Sequence, residues 1–305
     1  MTQSNGTNPT ICIIGPGIVG QATGKVFAYL GYKTAFLGGN SQKTEKLKKE
    51  GYEAYGREEL FDGSYDFDIS FLTVPTPTVD GKIDLTAIES ASVDLGKRLK
   101  KAPKKYRVIV VKSTVPPGTT EEAVIPLLEK YSGQKAGVDF GVCMNPEYLR
   151  EKTAYEDSLK PWVILIGELD KKSGDMLEKV YRKFECPIFR GSLKEAEMQK
   201  YIHNLFNSAK ISFFNEMRHI GKHIGVDTEK IFKLTALSAE GMWNPRYGIR
   251  DMGPFQGSCL PKDTKAFLEW AGKRNIRAEL LESVIKVNEK LDHQNGQTHV
   301  IGTEL

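Results

Sequence analysis

The chain has 305 residues, 40% of them apolar and 27% charged, with a formal net charge of +4. That length exceeds one ordinary hydrophobic core and predicts two domains, and the composition is that of a globular protein. The mild charge is spread along the chain, so nucleic acid is not expected as a partner. Nor is a membrane: no apolar run approaches the roughly 18 residues of a span, and no secretory leader is evident.

After a polar opening, Met1 to Pro9, the run Thr10-Ile-Cys-Ile-Ile14 reads as a buried strand. Gly15-Pro-Gly-Ile-Val-Gly20 reads as a glycine turn and residues 21–30 as a helix. In that order the glycine spacing signals dinucleotide binding. The turn lets the backbone approach a pyrophosphate, and the helix N-terminus faces its charge. The second strand, residues 33–37, leads to Gly38, 18 residues after Gly20, where NAD enzymes carry an acid that holds the adenosine ribose. Asn40 or Ser41 could bond a ribose hydroxyl, or Lys43 could approach a 2′-phosphate. NAD is the expected cofactor, and Gly38 leaves NADP open.

Further strands are predicted at Asp68-Ile-Ser-Phe-Leu-Thr-Val74, Arg107-Val-Ile-Val-Val-Lys112, residues 140–144, residues 162–166 and near residues 187–190. Helices are predicted at residues 85–99, 120–131 and 171–184. This alternation implies a mostly parallel, Rossmann-like sheet, whose ligands sit at the carboxyl ends of its strands. The polar loops 74–78, 113–118 and 145–151 fall at such ends. From Leu193 the pattern turns helical: Met198, Tyr201, Ile202, Leu205, Ala209 and Phe213 mark one long helix over residues 195–224. More helices are predicted at 228–237, 262–273 and 278–291. The fold class is therefore α/β, a Rossmann-like mostly parallel sheet followed by an all-helical domain with a long connecting helix. Residues 1–193 are assigned to the dinucleotide-binding domain, 194–291 to the helical domain and 292–305 to a polar tail. The long helix carries more apolar surface than a chain of this size covers, which predicts oligomerisation.

Four cysteines, Cys12, Cys143, Cys186 and Cys259, match no metal spacing, and no metal site is expected. Without a secretory leader, a reducing cytoplasm is expected rather than a disulfide framework. Cys259 stands apart. In Gly253-Pro-Phe-Gln-Gly-Ser-Cys-Leu-Pro-Lys-Asp263 a thiol, a cation and a carboxylate fall within five residues, in a stretch whose glycines and prolines mark a shaped loop. A helix starting near Cys259 would lower the thiol pKa, Lys262 would add to that, and Asp263 would share the face of Cys259. A thiolate beside a carboxylate that can handle a proton suits covalent catalysis at a carbonyl. The other reading of a lone cysteine is a small buried hydrophobe.

Together these stretches resemble the nucleotide-sugar 6-dehydrogenases, the UDP-glucose and GDP-mannose dehydrogenase family. The matching segments are Gly15–Gly20, Val74-Pro-Thr-Pro-Thr78, Lys112-Ser-Thr-Val-Pro116 and Asn145-Pro-Glu-Tyr-Leu-Arg-Glu151. Ala196-Glu-Met-Gln-Lys-Tyr-Ile-His-Asn204, Lys210 to Glu216, Asn244-Pro-Arg246 and Gly257-Ser-Cys-Leu-Pro-Lys-Asp263 complete the set, in family order over residues 10 to about 290.

The resemblance implies NAD-dependent oxidation of a nucleotide-sugar CH2OH, UDP-glucose-like, to a carboxylate in two hydride transfers. Cys259 is implied as the nucleophile, trapping the aldehyde as a thiohemiacetal and then carrying a thioester for water to cleave. Lys200 and Asn204, at i and i+4 on a helix, would present two donors to an oxyanion; the wet face of an amphipathic helix is the alternative for this pair. Asp263, Thr114 and a water would form the hydrolytic relay, and Glu151 and Glu147 match acidic positions near the nicotinamide and the sugar. Cofactor contacts are implied for Gly15, Gly17, Ile18, Val19, Gly20, Asn40, Pro75, Thr76, Thr114, Glu151 and Lys262. Substrate contacts are implied for Glu147, Tyr148, Leu149, Lys200, Asn204, Arg246, Phe255, Gly257 and Cys259. The resemblance also implies a homodimer through the helical domain, with Arg246 reaching the sugar from the second subunit.

The sequence departs from the family at Gly38, at Gln256 in the thiol loop, at a shortened run between Arg246 and Gly253, and at Trp162, where arginine is common. Family members also continue into a second Rossmann-like domain that grips the nucleotide, whereas this sequence stops at Leu305. A shortened form, a partner that supplies the missing half, and a smaller sugar substrate are the competing explanations. A one-step hydroxyacid-type dehydrogenase and an inactive cofactor-binding relative are the alternative functions.

Overall fold

The computed structural model describes residues 8–249 and 253–298. The chain divides into two compact units, Met1–His203 and Asn204–Leu305. No helix among the described residues is long and apolar enough to cross a membrane.

The first unit opens with β1 (Ile11–Ile14), α1 (Ile18–Tyr29), β2 (Thr34–Gly38), α2 (Ser41–Lys49) and β3 (Glu53–Gly56). There follow β4 (Ile69–Leu72), a small antiparallel hairpin of β5 (Thr78–Val79) and β6 (Lys82–Ile83), α3 (Thr86–Lys101) and β7 (Arg107–Val111). A π-helical turn, Thr120–Val124, runs into α4 (Ile125–Ser132), and β8 (Phe140–Met144) is followed by a 3-10 turn, Glu151–Thr153, and α5 (Ala154–Leu159). The unit ends with β9 (Ile164–Glu168), α6 (Lys171–Tyr181), β10 (Ile188–Ser192) and the start of α7 (Leu193–His223).

Eight strands form one sheet in the order β10-β9-β8-β7-β4-β1-β2-β3. They are parallel except at one seam, where β9 runs antiparallel to β8. The alternation of strands and helices did not reveal that seam. Between β8 and β9 the chain makes only a 3-10 turn and the six-residue α5, with no helix crossing back over the sheet. A parallel neighbour needs such a crossover; without it the chain re-enters from the edge it has just left. Short β3 and the β5–β6 hairpin were likewise not anticipated, since strands of two to four residues carry too little alternation to register.

The central strands are apolar on both faces, as buried parallel strands must be. Successive residues feed two separate cores. Cys12, Ile14, Leu72, Ile109 and Val111 pack with Ile88, Leu95 and Leu99 of α3 and Leu128 of α4. Ile11, Ile13, Phe71, Val108 and Val110 pack on the other face with Phe27 of α1, Leu47 of α2 and Leu177 and Val180 of α6. The thiols of Cys12 and Cys143 lie inside these layers, and burial pushes both up to about 12. The polar ends are capped locally. The Asn40 side chain accepts the Lys43 N–H at the start of α2, and Asp170 and Ser173 form a reciprocal capping box on α6.

The second unit contains the rest of α7, then α8 (Thr228–Ser238), the short α9 (Glu240–Trp243), α10 (Leu260–Gly272) and α11 (Glu279–Thr298). The long helix starts two residues earlier than its apolar spacing indicates. The last helix continues past residue 291 to Thr298, through Gly296, because polarity alone does not stop a helix and a single glycine is tolerated at a cost. The buried apolar cluster of this unit is small: Ile220, Ala271, Ile276 and Ala278.

Glu197 of α7 has no exposed surface, and its carboxylate accepts the backbone N–H groups of Gly118 and Thr120. Removing a buried acceptor strands two donors. Glu197→Ala is therefore expected to lower stability by about 1–3 kcal/mol, measured as a fall in thermal midpoint. An unchanged midpoint would show that the clasp on residues 118–120 contributes nothing.

Candidate functional site

Five loops leave the sheet from one edge, because β2, β1, β4, β7 and β8 are neighbours in parallel register. Between them lies a cavity of about 590 Å³. Gly15, Pro16, Gly17, Ile18 and Val19 form one wall; Gly39, Asn40 and Lys43 form another. Thr73, Val74, Pro75 and Thr76, then Lys112, Ser113 and Thr114, and finally Glu147 complete it. Gly20 lies one turn inside α1 rather than on the wall. A Cβ there would stand 2.5 Å from the Gly15 carbonyl oxygen and 2.6 Å from Thr73 Oγ1, so only glycine lets the helix approach the strand ends. Gly17 caps α1 without any side-chain bond, which leaves the first amides of the helix for an anion. A glycine cradle, an uncapped helix N-terminus and a cavity of this size fit a dinucleotide, whose pyrophosphate Gly15 to Val19 would hold.

The floor of the cavity is polar and buried. Lys112 closes β7, and its Nζ donates to Asn145 Oδ1 at 2.8 Å. Tyr181 donates its hydroxyl to the same oxygen at 2.5 Å, and Asn145 Nδ2 donates to the Leu165 carbonyl at 2.8 Å. Burial pulls the Lys112 ammonium down to about 8, with Glu147 opposing that shift and Lys200 adding to it. Lys200 projects from α7 with 4% of its surface exposed, so it is not on a wet helix face. Its Nζ donates to the Glu147 carbonyl at 2.5 Å and to Glu147 Oε1 at 2.9 Å. The other Glu147 oxygen accepts the Leu149 N–H at 2.6 Å. Tyr148 donates to Gln199 Oε1 at 2.5 Å and stacks at 4.9 Å on His203. Glu147, Tyr148 and Leu149 also line a second space of about 40 Å³ shared with Lys112. Thr76 Oγ1 donates to the Thr114 carbonyl at 2.7 Å, tying two loops of the main cavity together. Glu151, in the 3-10 turn, is exposed and does not line either space. Asn204, one helical turn beyond Lys200, is exposed.

In the second unit Cys259 is the N-cap residue of α10, with Pro261 in the first turn. Its carbonyl accepts the Asp263 N–H at 2.8 Å, and its thiol is exposed, 3.7 Å from Ser258 Oγ. Lys262 pairs with the Asp263 carboxylate, and both side chains are exposed. The loop is clamped: Asn288 of α11 accepts the Phe255 N–H at 2.6 Å and donates to the Phe255 carbonyl at 3.1 Å. Phe255 and Gly257 line a cavity of about 290 Å³ with Pro261 and Asn288. Arg246 is exposed, its N–H donating to Asn244 Oδ1 at 3.0 Å. Residues 250–252, part of the shortened run before Gly253, lie outside the described residues.

Comparison with known proteins decides the family. The NAD binding domain of the UDP-glucose/GDP-mannose dehydrogenase family matches residues 57–185, and the central domain of the same family matches residues 194–290. The chain belongs to the UDP-glucose/GDP-mannose dehydrogenase family. It is 36% identical over 299 residues to a GDP-mannose 6-dehydrogenase of Pseudomonas putida, covering 92% of this chain and 68% of that one. It is 42% identical over 225 residues to the GDP-mannose 6-dehydrogenase of Pseudomonas aeruginosa, covering 73% of this chain and 51% of that one. It is similar in structure to a ternary complex of GDP-mannose dehydrogenase from Pseudomonas aeruginosa (TM-score 0.85, 35% identity, 92% and 68% of the two chains). A UDP-glucose dehydrogenase of the archaeon Pyrobaculum islandicum aligns with a TM-score of 0.72 at 31% identity, over 95% of this chain and 70% of that one. The chain thus spans about half to two thirds of the length of the curated relatives it matches.

Some residues of this family member's cavity escaped the sequence reading. Lys112 and Asn145 were seen only as parts of matching runs, and Tyr181 only as part of the helix expected over 171–184. The available signal was the lysine that ends the otherwise apolar Val108-Ile-Val-Val111, since a charge there must be buried or placed at an edge. Ser113 and Gly39 line the cavity because they flank residues that were singled out.

Folding lowers the Lys112 pKa to about 8 from an ordinary 10.5. Between those values the unfolded chain holds a proton that the folded chain has lost, so the contribution of this group to stability rises with pH. Against a Lys112→Met variant, the wild type is expected to gain stability as pH climbs from about 8 toward 10.5, with a constant difference below about pH 7. Urea unfolding of both proteins across that range checks it, and a difference that shrinks with pH would contradict the burial account.

Proposed function

We propose that this chain carries out nucleotide-sugar 6-dehydrogenase chemistry, oxidising a sugar CH2OH of the UDP-glucose or GDP-mannose type to a carboxylate through Cys259. The observation that carries the reading is the buried Lys200–Glu147 pair, because Glu147 lines the dinucleotide cavity and Lys200 comes from the long helix. It sets a cation and a carboxylate at the carboxyl edge of the sheet, where such folds do their chemistry. Family membership supplies the reaction class, and relatives named for both nucleotide sugars support either substrate.

A nicotinamide dinucleotide in the cavity supplies the hydride acceptor for each oxidation. The residues of the chain do the rest. In the first step the sugar hydroxyl gives its proton to a water of the Asp263–Thr114 relay as the carbon gives up hydride, leaving an aldehyde. The Cys259 thiolate adds to that carbonyl carbon, and the oxygen of the resulting thiohemiacetal is held by a remaining Lys200 N–H and by Asn204. Loss of a second hydride from the same carbon leaves a thioester on Cys259. Water, relayed by Asp263 and Thr114, attacks it and releases the carboxylate and the thiol. Glu147 orients Lys200, Glu151 serves near the nicotinamide, and Tyr148, Leu149, Phe255, Gly257 and Arg246 bound the sugar. Arg246 acts from a loop of the helical unit, across a homodimer, and Lys262 from the first turn of α10. The compartment that suits a free thiol is the cytoplasm.

Wild-type enzyme is expected to reduce two equivalents of dinucleotide per carboxylate formed. Cys259→Ser is expected to lose acid product by at least roughly a thousandfold while binding dinucleotide as before. Undiminished turnover in Cys259→Ser would instead identify a one-step dehydrogenase. The dimer rests on the exposed apolar side chains of α7, among them Leu205, Phe206 and Ile211, each more than half exposed. Sedimentation is expected to show a dimer that Phe206→Asp dissociates, whereas a wild-type monomer at every concentration would remove the shared-site role of Arg246.

A further inference from the structure

In parallel α/β sheets, the residue ending the second strand separates the two nicotinamide dinucleotides. An acid there bonds the adenosine 2′-hydroxyl and repels a 2′-phosphate, whereas a nearby cation accommodates the phosphate. In this chain that residue is Gly38, and packing bars any side chain from it. A Cβ at Gly38 would lie 2.6 Å from Cδ and 2.8 Å from Cγ of Pro16. Pro16 belongs to the glycine turn itself, so no carboxylate can project from the end of β2 unless that turn moves.

The groups that do surround this end are mainly basic. Lys43, in the first turn of α2, lines the 590 Å³ cavity beside Gly39 and Asn40. Its side chain is exposed, and its ammonium has no ion-pair partner among the described residues. Arg57 follows β3 and comes from the other side, its Cδ 3.9 Å from where a Gly39 Cβ would stand. It lines an adjoining cavity of about 190 Å³ with Gly38, Gly39, Asp94 and Arg98. Arg57 is not a free surface chain: Nε donates to Asp94 Oδ2 at 2.6 Å and Nη2 to Ser90 Oγ at 2.5 Å. That tether orients the guanidinium and leaves Nη1 for another acceptor. Asp94 is the one carboxylate among the residues lining the adjoining cavity, and Arg57 already neutralises it. Arg98 adds a third cation, its guanidinium donating to the carbonyls of Arg57 and Glu59 and lying over the Phe61 ring. Glu59 is a second acid nearby, its carboxylate accepting the N–H of Gly56, which pairs with Gly38. Lys43, Arg57 and Arg98 against Asp94 and Glu59 still leave one excess positive charge where an adenosine ribose would lie. The family match to the NAD binding domain begins at residue 57 and does not include β2 or α2.

We infer that this end of the cavity selects a 2′-phosphate, so that NADP binds in preference to NAD, with Lys43 and the free edge of Arg57 as the recognising groups. The inference rests on the dinucleotide reading of the Gly15–Gly20 turn and goes beyond it. Isothermal titration of the full chain, without sugar substrate, tests it using NADP, NAD, 2′,5′-ADP and 5′-AMP as probes. NADP is expected to bind at least about tenfold tighter than NAD, and 2′,5′-ADP tighter than 5′-AMP by a similar factor. Lys43→Ala is expected to cut the NADP-to-NAD ratio by roughly tenfold while moving NAD affinity by less than about twofold, and Arg57→Leu to cut it further. Equal or tighter binding of NAD overturns the inference and leaves the dinucleotide site standing, as does a ratio untouched by both substitutions. Failure of all four probes to bind overturns the inference and the dinucleotide reading together.

Discussion

The parallel register of five strands is the constraint from which the site follows. Ile14 lies opposite both Leu37 and Leu72, Leu72 opposite Val111, and Val111 opposite Met144, so strand ends fall in one row. The residue after each lies at the loop edge: Gly15, Gly38 (the last of β2), Thr73, Lys112 and Asn145. Register is strongly held here because alternate residues fill two different cores, and a slip of one residue would send every side chain to the wrong layer. Lys112 shows the consequence most sharply. A slip would carry its ammonium into an apolar layer without Asn145, where an unpaired charge costs several kcal/mol.

Loops at such an edge have few apolar contacts of their own, and here hydroxyl-to-carbonyl bonds tie each to the next. Thr73 Oγ1 donates to the Gly15 carbonyl at 2.8 Å, Ser113 Oγ to the Val74 carbonyl at 2.6 Å, and Thr76 Oγ1 to the Thr114 carbonyl. The glycine turn, the proline-rich loop and the Ser113–Thr114 loop are thereby coupled without side chains that would fill the cavity. Glu197 then fastens residues 118–120 to α7, and Lys200, three residues on, reaches Glu147. One face of one helix serves both loops. The i, i+3 spacing that puts Glu197 and Lys200 side by side is why both can be buried while their neighbours Glu195 and Met198 remain in water.

Much of this was legible in the residues, and for physical reasons. The glycine turn, the apolar strands and the long helix announce themselves through spacing, and the loops 74–78, 113–118 and 145–149 could be placed at strand ends because parallel strands put them there. What could not be read was tertiary. Nothing in the local pattern of residues 162–166 tells that β9 runs backward, since strand direction depends on whether the preceding segment crosses the sheet. Lys200 looked equally suited to a wet helix face, and only the position of Glu147 decides its burial. The Gly38 departure could be seen but not explained from sequence. Its cause is the Pro16 ring, 22 positions earlier, occupying the space an acid would need.

The thiol loop is held by different means from the sheet edge. Within the second unit the apolar cluster is small, and polar clamps fix the order of elements instead. Glu216 of α7 accepts the N–H groups of Leu280 and Leu281 at 2.7 and 3.2 Å, capping α11 from outside, and Asn288 of α11 grips both backbone groups of Phe255. Cys259 is thus connected to α7 through two successive sets of hydrogen bonds, each bond contributing on the order of 1 kcal/mol. The sheet edge, in contrast, is backed by two cores of buried aliphatic and aromatic side chains, each side chain worth roughly 1.5–3 kcal/mol. Local opening free energies follow buried apolar contact, so openings of the Cys259 loop lie at the low end of the range for this chain and those of β1, β4 and β7 at the high end. A nucleophile of the kind proposed for Cys259 would gain from that asymmetry, because a loop held by polar clamps can follow a changing bond geometry.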